Sequence, residues 1–409
     1  MRSRVSTVGG TCRRAAEGGF VVSVYLDHAA STPPRAEALE AWANTHATIG
    51  NPSSVHGHGR AVRALLEDAR ERLAAALGAH PTEVVFTAGG TESVNLALTG
   101  LARAGRAAGR TRVLIGAAEH HASLDAVAAL AKDGAAGAFA VEVVPVDEVG
   151  RVQLEALDAA LASAPAAASV AVLGLLLANN EVGTIEDLAA VRELTERHAT
   201  PLHWDAVAAV GRIPVDFATS GAAAMSIAGH KIGAPSGTGA LLLRRGTAIE
   251  PLIHGGGQQL ARSGTVDAAG AVALAVAAEL AVAELPEHVA RLRRLDARLH
   301  DALAIAVPDA VFRGDPGDRL PGSVHVTIPG VDGESLVLLL DRAGVSASMG
   351  SACRAGVAET SHVLLAMGVD ARAARGALRL TLGRGTTEAD VDAAVAAVAA
   401  SVPIARMAF

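Results

Sequence analysis

The chain has 409 residues, 51% of them hydrophobic and 19% charged, so it can bury a large core and is not an intrinsically disordered chain. A formal net charge of −7, with no Lys/Arg-rich run interleaved with aromatics, argues against direct nucleic-acid binding. Two cysteines, Cys12 and Cys353, cannot staple a secreted fold and fit a reducing, cytoplasmic setting, while the apolar stretches are broken by Gly, Asp or Arg too soon to span a membrane.

In chain order, residues 1–22 contain several Arg and Gly but no apolar h-region, and read as a disordered leader instead of a secretory signal. Residues 23–35 follow as an N-terminal segment expected to pack near the active site. From 84 onward, apolar runs at 84–87, 112–116, 141–146, 168–178, 201–204, 223–227 and 240–243 alternate with Ala/Leu/Glu/Arg stretches of helical length. That alternation predicts an α/β unit over 36–275 with a mainly parallel, seven-stranded sheet covered on both faces. Ligands of such sheets bind at the carboxyl ends of the strands, so the polar residues ending these runs are the candidates for chemistry. After Asp267 the Ala/Leu/Glu pattern runs uninterrupted to about Arg298 and predicts one long helix leading away from the sheet. A smaller α+β domain is expected over 276–409, with strands at 323–328 and 378–382 and helices near 334–343 and 387–400. No repeat of solenoid period and no Ser- or Pro-rich linker separates the two parts.

Three features of the large unit carry chemical meaning. The run 84–87 enters Ala88-Gly89-Gly90-Thr91 and then a helical pattern, a turn whose exposed N–H groups and helix N-terminus suit a phosphate; a plain strand-to-helix turn reads the same. Asp205 closes an apolar strand, where a buried carboxylate calls for a cationic partner, the bland alternative being a helix N-cap. Lys231 stands in Ser226-Ile227-Ala228-Gly229-His230-Lys231, where desolvation would favour the neutral amine that forms a Schiff base. Together they supply what pyridoxal 5'-phosphate (PLP) requires: an anion for its ring nitrogen, a lysine for its aldehyde and a cup for its phosphate. No metal is expected, because the fifteen histidines do not pair with cysteines at metal-ligand spacing.

At these residues the sequence resembles the class V aminotransferase branch of PLP enzymes, and most closely the cysteine desulfurases, from Tyr25 to about Ala400. The matching segments are Tyr25-Leu26-Asp27-His28-Ala29-Ala30-Ser31-Thr32, Gly50-Asn51-Pro52-Ser53-Ser54, Thr87-Ala88-Gly89-Gly90-Thr91-Glu92-Ser93, Glu119-His120, Asn179-Asn180-Glu181-Val182-Gly183, His203-Trp204-Asp205-Ala206, Gly229-His230-Lys231, Arg262-Ser263-Gly264-Thr265, Gly350-Ser351-Ala352-Cys353 and Arg379-Leu380-Thr381-Leu382-Gly383-Arg384. The resemblance implies PLP fold type I and a homodimer. It makes Lys231 the Schiff-base lysine and proton carrier, Asp205 the partner of the ring nitrogen and His120 the residue that stacks on the ring and assists proton transfer. Gly90, Thr91 and His230 would bind the phosphate, Thr265 would contribute from the other subunit, and Asn180 and Arg379 would hold the substrate carboxylate. The planar fork of Arg suits that last task.

Cys353 separates a desulfurase from its relatives. It sits among small residues in Ser346-Ala347-Ser348-Met349-Gly350-Ser351-Ala352-Cys353-Arg354, suggestive of a loop, and Arg354 would favour the thiolate. The implied reaction takes sulfur from L-cysteine onto Cys353 as a persulfide, leaves L-alanine and passes the sulfur to an acceptor such as an iron-sulfur scaffold or a tRNA-thiolation protein. A bystander thiol is the alternative. The chain also departs from the pattern: Ala208 stands where a glutamine usually contacts the cofactor, Ala228 where a serine usually contacts its phosphate, and the loop 255–265 is one residue short. These departures keep open another class V activity (aminotransferase or selenocysteine lyase) or a non-catalytic homologue acting as a partner subunit.

Overall fold

The computed structural model describes residues 24–132, 137–163, 169–350 and 360–407. Its strands are β1 (Val24–Tyr25), β2 (Val84–Thr87), β3 (Arg112–Gly116), β4 (Ala140–Val144), β5 (Val170–Leu176), β6 (Leu202–Asp205), β7 (Ala224–Ala228), β8 (Gly239–Leu243), β9 (Val311–Arg313), β10 (Ser323–Thr327), β11 (Val345–Ser346) and β12 (Ala377–Thr381). Seven of them form the main sheet in the order β2-β8-β7-β6-β5-β3-β4. All neighbours are parallel except β8, which runs antiparallel to β2 and to β7.

The expected mainly parallel sheet is therefore present, for the reason its composition gives. Strand β5, Val-Ala-Val-Leu-Gly-Leu-Leu, is buried at every position, which requires cover on both faces. Helix Gly90–Arg106 packs on one face, and Leu98, Ile115 and Val127 belong to the apolar cluster there. Helices Ala36–His46, Gly57–Ala76 and Ala268–Ala283 pack together, and Leu73, Trp204, Phe217 and Leu274 belong to a second cluster. The strand bounds differ from the apolar runs by a residue or two, because pairing and not hydropathy ends a ladder.

The single long helix expected after Asp267 is instead two, Ala268–Ala283 and Leu285–Ala306, bent by 67°. Pro286 falls in the first turn of the second helix, where its missing N–H costs nothing but its ring forbids continuation of the first. Arg35 Nη1 reaches Glu284 Oε1 at the elbow, at 2.9 Å. The second helix leads to an antiparallel sheet, β12-β10-β9, which shares with helix Glu388–Met407 a third cluster that includes Leu299, Val326, Leu380 and Val398. Strand β1 pairs in parallel with β11, and Asp27 bridges to Thr381, so the N-terminal segment is sewn to this smaller sheet. Among the described residues no single helix is long and apolar enough to cross a membrane.

Candidate active site

The carboxyl ends of β6 and β7, the turn after β2 and the end of the smaller sheet enclose a cavity of about 660 Å³. Its walls include Gly90, Thr91, His120, Asn180, Asp205, His230, Lys231 and Arg379, so every one of those sequence candidates meets in one place.

Strand β2 turns into helix Gly90–Arg106 through Gly89, whose φ of 150° few side chains tolerate. A methyl on Gly90 would lie 2.8 Å from Val207 Cγ2 and 3.3 Å from Ala228 Cβ, so the helix N-terminus is pressed against the cavity wall. Glu92 holds the turn: one carboxylate oxygen accepts from Ala88 N at 2.8 Å and the other from Arg262 Nε at 3.0 Å. The exposed first-turn N–H groups and the helix dipole make this end a cradle for an anion.

Lys231 ends the one-turn helix Gly229–Lys231 that follows β7. Its Nζ donates to the carbonyl oxygens of Ala29 and Ala30. Burial, with the positive Arg379 second, lowers its pKa to about 8. Asp205 is 3% exposed, and burial raises its pKa to about 6. Its Oδ1 accepts from Val207 N at 3.0 Å. The expected cationic partner is present as a nearby charge and not as an ion pair: Lys231 favours the Asp205 carboxylate, while among the described residues no Arg, Lys or His pairs with it directly, and the residues after it form a turn and not a helix. A buried carboxylate at a cavity wall with no direct ion pair is suited to a cation supplied by a ligand.

His120 caps helix His121–Leu130, its Nδ1 accepting from Ala122 N at 3.0 Å, and burial lowers its pKa to about 4. The neighbouring His121 packs instead on His362, ring centroids 4.7 Å apart, which settles which of the two faces the cavity. His230 is likewise held neutral, its pKa lowered by burial to about 4. Glu119, to which no role attached in the sequence, is buried; Oε1 accepts from Leu176 N at 2.7 Å and Oε2 has no partner. Desolvation drives its pKa well above the carboxylate range.

Arg379, on β12, is 4% exposed. Nη2 contacts Asp27 Oδ1 at 2.7 Å, Nη1 donates to Asn180 O at 2.8 Å, and Nε is buried without a partner. Asp27 thus joins the site, a role its place in the Tyr25 to Thr32 motif allows but does not specify. Thr265 is not brought into this cavity; it is exposed and lines a separate pocket of about 90 Å³ with Arg262. Cys353 and its neighbours Ser351, Ala352 and Arg354 lie outside the described residues, as does Cys12; Ser348 and Gly350, which lead to them, line the cavity. Ala208 and Ala228 also line it. Ser226 does not replace the hydroxyl missing at Ala228: it is wholly buried and bonded to His203 Nε2 at 2.8 Å.

The donor set fits PLP. A helix N-terminus stands ready for a phosphate, an amine of lowered pKa for an aldehyde, and an unpaired carboxylate for a protonated ring nitrogen.

Comparison with known proteins agrees. Residues 24–394 match the family model described as Aminotransferase class-V. An IscS-like cysteine desulfurase of Mycobacterium tuberculosis is 49% identical over 94% of this chain and 97% of its own length. The cysteine desulfurase IscS of Dictyoglomus turgidum is 39% identical over 90% and 92%. A solved structure of a NifS-like protein superposes with a TM-score of 0.85 at 33% identity, covering 93% of this chain and all of that one.

Proposed function

Because the chain belongs to the class V aminotransferase family, and within it to the cysteine desulfurases, we propose that it binds PLP at Lys231 and transfers the sulfur of L-cysteine to Cys353 as a persulfide, releasing L-alanine. The observation that carries this reading is the meeting of Lys231, Asp205 and Arg379 in one cavity.

The cofactor supplies an electron sink that makes the α-hydrogen of a bound amino acid acidic. Gly90, Thr91 and His230 would hold its phosphate, and Asp205 would keep a proton on its ring nitrogen. His120, neutral above pH of about 4 and lining the cavity, would stack on the ring and assist proton movement. Asn180 and Arg379 orient the substrate carboxylate, with Asp27 fixing the guanidinium from behind. Lys231, whose Nζ is neutral over much of the range near pH 8, would take the α-proton and hold it for return to the α-carbon when alanine forms. The Cys353 thiolate would form an S–S bond to the substrate sulfur as the Cβ–S bond breaks toward carbon, and protonation of that carbon together with return of the α-proton from Lys231 would complete alanine.

Residues 36–275 act in this reading as the large cofactor-binding domain, 276–409 as the smaller one carrying Cys353, and 23–35 as the strap between them. Separate apolar clusters around the main sheet and on the smaller sheet support two domains, while a fourth cluster joins Ala118, Val146 and Val182 to Val363 and Met367 across them, and Ala277, Ala278 and Ala281 pack with the large one. Exposure of Thr265 away from its own cavity supports a homodimer in which it completes the partner's phosphate site. A cytoplasmic sulfur acceptor, an iron-sulfur scaffold or a tRNA-thiolation protein, would take the persulfide. Ala208 and Ala228 favour one rival, a homologue that keeps the fold as a partner subunit.

The decisive comparison is Cys353→Ser against wild type, with absorbance, alanine and sulfide read together after addition of L-cysteine and dithiothreitol. The variant should keep the spectral response and lose alanine and sulfide. Unchanged turnover removes Cys353 from the mechanism; bound cofactor without turnover in the wild type favours the partner-subunit reading.

A further inference from the structure

The segment 351–359, which contains Cys353, leaves the described fold at Gly350 and rejoins it by Ser361, and both of these meet one side chain. Glu181 is 3% exposed, and Ser361 Oγ donates to its Oε2 at 2.5 Å. The same hydroxyl accepts from Leu364 N at 3.2 Å, capping helix His362–Ala366, so its single proton is committed to Glu181. On the other side Gly350, whose N–H donates to Ser348 Oγ at 3.0 Å, lies beside the same carboxyl: a methyl there would lie 3.3 Å from Glu181 Oε2 and 3.3 Å from His325 Nε2. His325 is wholly buried and sits opposite Arg379 in the β10–β12 register. Ser348, just upstream, exchanges backbone hydrogen bonds with Arg379.

Glu181 is itself tied to the substrate side. Its N–H donates to Asn179 Oδ1 at 2.8 Å, and the intervening Asn180 lines the cavity and accepts from Arg379. One rigid turn therefore faces the proposed carboxylate site with Asn180 and both ends of the Cys353 segment with Glu181. None of the chemistry assigned above uses this carboxyl group.

We propose that Glu181 is a positioning residue for sulfur transfer: its buried carboxyl fixes where the Cys353 segment departs and returns relative to Arg379. The proposal rests on Cys353 being the sulfur acceptor. It gives Glu181 no part in cofactor or substrate binding, so its loss should act on turnover and leave the earlier steps intact.

The test compares Glu181→Ala, Glu181→Gln and Ser361→Ala in the full-length holoenzyme, with Cys353→Ser as control. Glu181→Ala should lower kcat by about tenfold or more while KM for cysteine stays within about twofold, as expected when a reacting group is misplaced but binding is kept. The cysteine-induced absorbance change should survive. Glu181→Gln retains an acceptor for Ser361 and should recover most of kcat. Ser361→Ala should fall with Glu181→Ala, and the double variant should be no worse than the poorer single one, as for two partners of one interaction. In cofactor-free protein, alkylation of Cys353 followed on its peptide by mass spectrometry should change rate in Glu181→Ala and not in Glu181→Gln. The proposal is overturned by wild-type kcat in Glu181→Ala, by a loss carried in KM, by failure of Gln to rescue, or by equal alkylation rates. Should Glu181→Ala fail to fold, Ser361→Ala carries the same test through kcat, KM and alkylation. Full turnover in Cys353→Ser would instead sink the acceptor assignment, a result separate from all of these.

Discussion

Two regions beside the turn after β2, the strand ends that line the cavity and the loop 254–265 outside it, are held by different means. On the main-sheet side, Asp205 ends β6 and Lys231 lies three residues beyond β7, and both strands are hydrogen-bonded to neighbours on either edge. Across the phosphate turn, the loop 254–265 has no strand ladder and is held by side chains. Gln259 accepts from Phe86 N at 2.9 Å and donates to Phe86 O at 3.0 Å, covering part of the outer edge of β2, and Arg262 pairs with Glu92. The groups assigned to chemistry stand where backbone pairing over-determines position; the loop that would reach a second subunit is fastened where a few side chains decide it.

The strand-ordered wall is the place to break first. Lys231→Ala should lower kcat by about 10³-fold or more, because both covalent attachment and proton transfer are lost at once. The protein should fold normally, since among the described residues Nζ bonds only to the Ala29 and Ala30 carbonyls. Borohydride treatment followed by mass spectrometry should fix cofactor to the wild-type chain and leave the variant unlabelled.

The same lysine gives a pH dependence with a definite sign. Attachment of added cofactor to stripped protein requires the neutral amine, whose fraction grows as pH rises through the lowered pKa of about 8. The attachment rate should therefore rise about tenfold between pH 7 and pH 9. His120 and His230, with pKa values near 4, and Asp205, near 6, do not change charge in that interval. A rise centred near 10 in a stopped-flow absorbance series would show that burial does not depress the lysine as described.

A third change sharpens the contrast within the ordered wall itself. Ala208→Gln puts an amide donor where the cavity now presents a methyl. One added hydrogen bond should slow cofactor dissociation by roughly fivefold, measured by transfer to an acceptor apo-enzyme. Faster loss would mean that the cavity is shaped around the smaller residue.

How much of this is legible beforehand follows the same division. The strands that reach the cavity, β2, β6 and β7, are apolar runs closed by a glycine or polar residue, so Gly90, Asp205 and Lys231 announce themselves, and the hydrophobic pattern fixes their common edge. Pro286 is harder, because a proline in a first turn and a proline inside a helix look alike in an unbroken Ala/Leu/Glu pattern. The expectation of a cation beside Asp205 rests on a sound cost of burial, and Lys231 answers it through space without a direct ion pair. Glu119 and Glu181 are invisible at that level, since nothing local distinguishes a buried glutamate from a solvated one. The pairing of Gln259 with an edge strand depends on contacts 173 residues apart.

The smallest expected effect lies in the side-chain-held loop. Its turn is closed by the bridge between Gln259 and Arg262, and to make it Ala261 adopts a φ of 61°, in the left-handed region. An L-residue with a Cβ pays about 1 kcal/mol or somewhat more for that conformation. Ala261→Gly removes the cost but adds about 0.5–1 kcal/mol of unfolded-chain entropy, so a net gain of about 0.5 kcal/mol is expected. The urea midpoint of the holoenzyme should rise slightly with an unchanged slope. Because Gln259 and Arg262 anchor the turn on either side, relief of strain at Ala261 should leave kcat and KM where they are. A clear loss of stability would show that Ala261 makes packing contacts worth more than its backbone strain, and that this loop is as over-determined as the strand ends it faces.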